Sequence, residues 1–189
     1  MSVFNSSLDK RRAAAAPFAA IALGSNMVSG FGDRGGNLRE AILRLGELGR
    51  VVAVSNFYDT EPVGPVVQPR FLNGALLLET GMEPVELMRA LLEVERGMGR
   101  VRDPGVEKGP RVIDLDLLLF GEGVVSTERL TLPHPAMHER RFVLEPLAEI
   151  APEMVHPVLG KTVREMLDVF GFRAEKSFGR EAGPSLRSR

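Results

Sequence analysis

The sequence predicts an α+β fold of the ferredoxin-like, split βαβ kind, a core sheet covered by helices. Two observations carry this. Runs rich in apolar β-formers alternate with two stretches of helical periodicity in the order strand–helix–strand–strand–helix–strand. Two further helical pieces follow that unit, and no internal repeat or low-complexity segment competes with it.

Each element has its own signal. Phe18 to Leu23 reads as a strand ending at the Gly24-Ser25-Asn26 turn. Leu38, Ala41, Ile42, Leu45 and Leu48 recur at helical spacing, so a helix starts near Asn37 and stops at Gly49. Val51 to Tyr58 is a second strand, rich in Val and aromatics. Thr60 to Pro69 holds three prolines and a glycine and reads as a loop. Phe71 to Glu79 is a third strand, and Pro84 suits the first turn of a helix running to about Met98. Gly109 to Phe120 is the fourth strand, and Leu130 and Leu132 mark a short one. Helical pieces at His138–Ile150 and Thr162–Phe170 complete the domain. Helices are expected on one face of the sheet, with the other face open to a ligand.

Composition sets bounds. At 189 residues one domain is the natural reading. A net charge of −1 gives no reason to expect nucleic-acid or anionic-membrane binding. The absence of Cys removes disulfide and thiol chemistry and suits a reducing, cytoplasmic setting. No apolar run is long enough to span a bilayer. Lys10-Arg11-Arg12 followed by an Ala-rich stretch imitates an export signal, but Pro17 interrupts it and it runs into the first strand.

The chemistry concentrates at Asp114 and Asp116. Strand side chains alternate between faces, so the two carboxylates share one face about 6–7 Å apart. Carboxylates in an apolar run are costly to bury unless protonated, hydrogen-bonded or bound to a cation. Hard oxygen ligands on a rigid strand suit Mg²⁺ carrying a phosphorylated substrate. The plainer alternative is an edge strand whose acidic face is merely wet. Arg111 falls on the opposite face if the pleat is regular, though it sits at the strand's start. Upstream, Arg100 and Arg102 follow Gly97 and Gly99 and lead into a Gly/Pro-rich segment, Asp103 to Gly109. Guanidinium forks match phosphate oxygens, and such a segment suits a closing lid. A lone Arg is usually a solvated cation; three around one short loop beside a carboxylate pair are less ordinary. Glu95 continues the apolar line Val85, Met88, Leu92, which places a carboxylate at the edge of that stripe. A surface Glu paired with Arg96 or Arg100 is the plain alternative.

These segments resemble the 6-hydroxymethyl-7,8-dihydropterin pyrophosphokinases of folate biosynthesis. The likeness rests on Ala22–Asn26, Phe57–Gly64, Phe71-Leu72-Asn73, Gly99–Arg102, Gly109–Phe120, Pro133-His134 and Arg140–Leu147, in the family's order. It implies the same α+β fold with extra C-terminal elements, and an enzyme that moves pyrophosphate from ATP to the pterin's hydroxymethyl group. Asp114 and Asp116 then match ligands of two Mg²⁺ ions. Arg100, Arg102, Arg111, His134 and Arg140 match phosphate-contacting residues, with Glu95 and Ile113 near the nucleotide. Gly24, Thr60, Val63, Phe71, Asn73, Asp114 and Phe142 match the pterin side. The resemblance leaves residues 1–17 as a disordered extension, 18–172 as the catalytic domain and 173–189 as a flexible tail. A monomer acting on small molecules alone is expected.

Three residues depart from common members: Asp103 in place of a basic residue, Lys108 in place of a lid tryptophan, and Pro135 after His134 in place of an aromatic. They bear on lid closure rather than on the reaction. Two other readings remain at this stage. A different metal-dependent phosphotransferase or phosphodiesterase would need the Asp pair but no pterin slot. A ferredoxin-like RNA-binding module would need exposed aromatics on a basic surface, and one Tyr, no Trp and balanced charge argue against it.

Overall fold

The computed structural model describes residues 17–64, 67–100 and 109–171. Strand β1 (Phe18–Ser25) runs through the middle of the sheet, and Ala19, Ala20 and Ile21 are fully buried on its two faces. Helix α1 (Arg34–Leu45) starts three residues earlier than the apolar spacing suggests. The Asp33 carboxylate accepts from the Gly36 amide at 2.7 Å and caps it there. A side chain at Gly36 would meet the Phe31 carbonyl oxygen at 2.4 Å, so the first turn tolerates only glycine at that point. Asn37, which the spacing placed at the start, is instead buried inside the helix and donates to the Met27 carbonyl at 2.8 Å.

The expected second strand is two strands, β2 (Arg50–Val54) and β3 (Tyr58–Thr60). Ser55 breaks it: its hydroxyl takes the Ala75 amide at 2.9 Å, replacing a ladder carbonyl, and the chain kinks before resuming at Tyr58. Strand β4 (Phe71–Glu79) and helix α2 (Pro84–Gly97) follow as the pattern indicates. Strand β5 (Asp114–Phe120) begins later than Gly109. A small hairpin of β6 (Val125–Ser126) and β7 (Thr131–Leu132) leads through a cis Leu132–Pro133 peptide to a 3₁₀ turn at Met137–Glu139. Helix α3 (Arg141–Ile150) is separate from that turn because Arg140 is extended, with φ −117° and ψ 99°. The hairpin β8 (Val155–His156) and β9 (Lys161–Thr162), which carries no strong sequence signal, precedes helix α4 (Val163–Gly171).

The main sheet has the order β2–β4–β1–β5, with β3 also pairing to β4, and these pairings are antiparallel. Ile21, Leu23, Leu76, Leu78, Leu115 and Leu117 point to one face and pack on Leu38 and Leu45 of α1 and Leu87 and Leu91 of α2. The opposite face is not open along its length, as the sequence reading expected. Ala20, Ala75, Leu118 and Leu119 pack there against Leu144 and Leu147 of α3 and Met166 of α4. A register shift between Ala20 and Ile21 leaves Leu118 as an extra residue in β5, so Leu118 and Leu119 join the same layer. The end of this face nearest Gly24 opens into a cleft. Among the described residues no helix is long and apolar enough to cross a membrane.

His156 anchors the last hairpin. Its Nδ1 accepts from the Leu159 amide at 3.2 Å, and its ring meets His138 edge-on at 6.2 Å between centroids. Burial, with a smaller effect of His138's charge, lowers its pKa below the ordinary imidazole value. A depressed histidine stabilises the fold above the unfolded pKa of about 6.5, and that contribution fades as pH falls. The thermal midpoint should therefore drop on acidification below neutrality, and His156→Gln should flatten that drop; an identical slope in the variant would remove His156 as its source.

Candidate active site

The open end of the sheet is built on one row of residues. Cross-strand register places Tyr58 opposite Asn73, Asn73 opposite Gly24, and Gly24 opposite Asp114. In the next row inward, Ala75 and Asp116 flank Ala22. Asp114 and Asp116 therefore share the face that the alternation predicts. They line a shallow cleft of about 280 Å³, open solvent included, together with Gly24, Asn73 and Phe142. Gly24 is its floor. A Cβ there would lie 3.1 Å from Asn73 Oδ1 and 3.7 Å from the Asp114 Cβ, closing the gap between amide and carboxylate. Asn73 is 7% exposed and donates through Nδ2 to Thr60 Oγ1 at 2.7 Å, leaving its carbonyl oxygen beside Gly24.

Charge organises the other side. Arg100 Nη1 bonds Asp114 Oδ1 at 2.5 Å and also pairs with Glu95 Oε1. Arg111 Nη1 bonds Asp114 Oδ2 at 2.7 Å. Burial would weaken the charge on Arg100, but Asp114 and Glu95 more than offset it and raise its pKa. Arg111 does not sit on the far face. It precedes β5, where the backbone is held by Asn26: the Arg111 amide donates to Asn26 Oδ1 at 2.7 Å, and the Asn26 amide donates to the Arg111 carbonyl at 3.1 Å. Its guanidinium also lies over the Phe71 ring, 5.4 Å from the centroid.

Asp116 is less fully neutralised. Arg140 Nη1 is 3.7 Å from its Oδ2. Burial, then the Asp114 charge, push the Asp116 carboxyl above its ordinary range, against the pull of His134, Arg140 and Arg100. Such a group has an unmet demand for positive charge. Two carboxylates on one face, one of them under-neutralised, fit a hard divalent cation. Among the described residues no third His, Cys, Asp or Glu joins them, which suits Mg²⁺ taking its remaining ligands from phosphates and water. His134 Nδ1 accepts from the Ala136 amide at 3.2 Å, so in the neutral ring Nε2 is the donor. Burial lowers the His134 pKa, opposed by the Asp116 charge and assisted by that of Arg140. Arg140 lies 6.0 Å from the centroid of Phe142, linking the Asp116 side to the cleft wall.

Other expected site residues fall differently. The Ile113 side chain is fully buried in the α1–α2 core, so only its backbone could meet a ligand. Val63 is 69% exposed on the loop after β3. Arg102, Asp103 and Lys108 lie outside the described residues. Pro135 is in the segment between His134 and the 3₁₀ turn. Sequence reasoning passed over Asn26, which is 3% exposed and also donates to Gln68 Oε1 and the Pro69 carbonyl. The signal was a polar turn residue next to a buried strand.

Glu95 is no edge residue. It is 1% exposed and lies between the Met88 and Leu91 lines, at the middle of the apolar stripe and not at its edge. Its Oε1 accepts from the Leu115 amide at 2.8 Å as well as from Arg100. Removing one partner of a buried ion pair typically costs about 3–5 kcal/mol. Glu95→Ala should therefore lower unfolding stability by about 3 kcal/mol in denaturant titrations, with Glu95→Gln milder because it can still accept from Leu115. A loss below about 1 kcal/mol, the scale of a surface pair, would return Glu95 to the helix surface.

Known proteins resemble this chain in sequence and in fold. The family model described as 7,8-dihydro-6-hydroxymethylpterin-pyrophosphokinase matches residues 20–152. A 2-amino-4-hydroxy-6-hydroxymethyldihydropteridine pyrophosphokinase of Pseudomonas aeruginosa is 45% identical over 78% of this chain and 88% of its own length. That of Bacillus subtilis is also 45% identical, over 71% and 78%. A folic acid synthesis protein of Schizosaccharomyces pombe is 39% identical over 91% of this chain, which spans only 23% of that protein. Among solved structures, the Plasmodium falciparum HPPK-DHPS A437G protein aligns over 84% of this chain and 46% of its own, with TM-score 0.65 and 17% identity, a likeness of fold. The chain belongs to the 7,8-dihydro-6-hydroxymethylpterin-pyrophosphokinase family.

Proposed function

We propose that this chain transfers pyrophosphate from ATP to the hydroxymethyl group of 6-hydroxymethyl-7,8-dihydropterin, giving AMP and the pterin diphosphate in tetrahydrofolate biosynthesis. The observation that carries the reading is the row Asn73–Gly24–Asp114. It sets an amide that reads a flat heterocycle and a carboxylate that serves the phosphates on either side of a glycine floor.

The hydroxymethyl oxygen attacks the β-phosphorus in line, and the oxygen bridging to the α-phosphorus leaves with AMP. Such transfers rest on positioning and charge neutralisation. Asp114 and Asp116 would hold two Mg²⁺ ions, which would supply positive charge against the phosphates and lower the pKa of the attacking hydroxyl. Arg100 and Arg111, paired with Asp114 in the resting site, turn part of their donor capacity to phosphate oxygens. His134 donates from Nε2, and Arg140 grips the triphosphate from the C-terminal side. Arg102, outside the described residues, adds a further phosphate contact, and the Ile113 backbone meets the nucleotide.

On the pterin side Asn73 bonds the ring edge, supported by the hydrogen bond to Thr60 that fixes its amide orientation. Phe142 stacks on the ring, Phe71 packs at its edge, and backbone groups of Gly24, Thr60 and Val63 complete the contacts. The strand order β2–β4–β1–β5, with α1 and α2 on one face, supports the ferredoxin-like assignment of the core.

The test is AMP release from Mg·ATP with and without 6-hydroxymethyl-7,8-dihydropterin. Wild type should form AMP only with the pterin. Asp116→Ala should lose at least about 10³-fold in rate, the scale of removing a principal electrostatic contact. Asn73→Ala should mainly raise the pterin KM. AMP formed without pterin, or ADP in its place, would make the chain a phosphotransferase of another kind.

A further inference from the structure

Glu149 sits in the last turn of α3, where the helix dipole disfavours a carboxylate. It is nevertheless the acceptor for three donors from the kink between β2 and β3. The Asn56 amide donates at 3.0 Å, Asn56 Nδ2 at 2.6 Å and the Tyr58 hydroxyl at 2.9 Å. Tyr58 is the single tyrosine of the chain. It also stands first in the row that continues through Asn73 and Gly24 to Asp114.

Seven residues separate Phe142 from Glu149, which is two helical turns, so both project from nearly the same side of α3 about 10 Å apart along its axis. The middle of the helix is fixed by Val143, Leu144 and Leu147 in the core. The N-terminal end carries Phe142 into the cleft wall, and the C-terminal end is tied through Glu149 to the strand that carries Thr60. Thr60 in turn holds Asn73. One carboxylate thus joins the two opposing walls of the slot.

We propose that the Glu149–Tyr58–Asn56 cluster is a positioning device for the acceptor substrate. It sets the height of Phe142 above the Asn73–Gly24 floor and so the fit of a flat bicyclic ring, without touching that ring. The inference rests on the function proposed above and adds residues to it. The nucleotide side is held by a different set of contacts, Glu95 with Arg100 and Leu115, and Asn26 with Arg111. Arg140 at the N-cap of α3 also serves the nucleotide, but most of that side is held elsewhere, so loosening α3 at its far end should fall on pterin binding more than on ATP binding.

The experiment is steady-state kinetics on the full chain, varying each substrate in turn, for wild type, Glu149→Ala, Glu149→Gln and Tyr58→Phe. Thermal midpoints are measured in parallel and the assays run well below them. Loss of hydrogen bonds to a charged acceptor corresponds to about tenfold in binding. Glu149→Ala should raise the pterin KM by about that factor and leave the ATP KM and kcat within about twofold. Tyr58→Phe, which keeps the ring and removes one bond, should give a smaller rise of the same kind. Glu149→Gln, which still accepts from the Asn56 amide, should recover part of the loss. A lowered thermal midpoint with an unchanged pterin KM, or both KM values moving together, would overturn the positioning role and leave only a surface clamp. Wild type that forms no AMP with the pterin would overturn the pyrophosphokinase reading and this proposal with it, whereas active wild type without the KM split overturns the proposal alone.

Discussion

The site depends on one arginine held between two carboxylates. Arg100 bonds Glu95 from below and Asp114 from above, and Glu95 also takes the amide of Leu115 at the start of β5. These bonds join the end of α2 to the strand that carries Asp114 and Asp116. They also answer a desolvation problem: Glu95 is almost wholly buried, and an unpaired carboxylate there would be untenable. Asp114, gripped by Arg100 and Arg111, is held in one orientation in the resting protein. Asp116 has only the longer Arg140 contact, and burial and the Asp114 charge raise its pKa. The asymmetry gives the pair one anchored and one receptive member.

The sheet converts this local chemistry into a shaped slot. β1 is the central strand, so its Gly24 has Asn73 on one side and Asp114 on the other by register alone. The absence of a side chain there leaves room between the Asn73 amide and the Asp114 carboxylate. The extra residue at Leu118 lets β5 present the carboxylates at one end and bury consecutive leucines under α3 at the other. The Leu118 carbonyl also accepts from the His134 amide at 2.9 Å, which brings the segment carrying His134 and Arg140 against the same strand.

Much of this was legible in the sequence, and what was not has physical causes. The period-two placement of Asp114 and Asp116 made their common face readable, because the pleat is regular there. Arg111 was misplaced because it lies outside the ladder, held by the Asn26 side chain, and alternation does not apply to it. One strand was expected where Ser55 substitutes its hydroxyl for a backbone acceptor, a swap that apolar patterning cannot register. α1 starts early because Asp33 caps it across two glycines that propensity alone counts against a helix. The covering of the second face was missed because α3 and α4 were read as appendages rather than as a layer. Glu95 was placed on the apolar stripe with Arg100 as a candidate partner, but its near-complete burial was not legible, because spacing alone does not say how deep a stripe lies.

The central claim is that Asp114 keeps the phosphate-binding arginines paired until a divalent cation takes over their role. Calorimetric titration with a non-hydrolysable ATP analogue, in Mg²⁺ and in EDTA, tests it on wild type and Asp114→Asn. The account predicts that wild type binds about tenfold or more weakly in EDTA, the scale of one charge-assisted contact. In Asp114→Asn the magnesium dependence should shrink, and binding in EDTA should be tighter than wild type because Arg100 and Arg111 are released. Equal wild-type affinity with and without Mg²⁺, or weaker metal-free binding by Asp114→Asn, would contradict it.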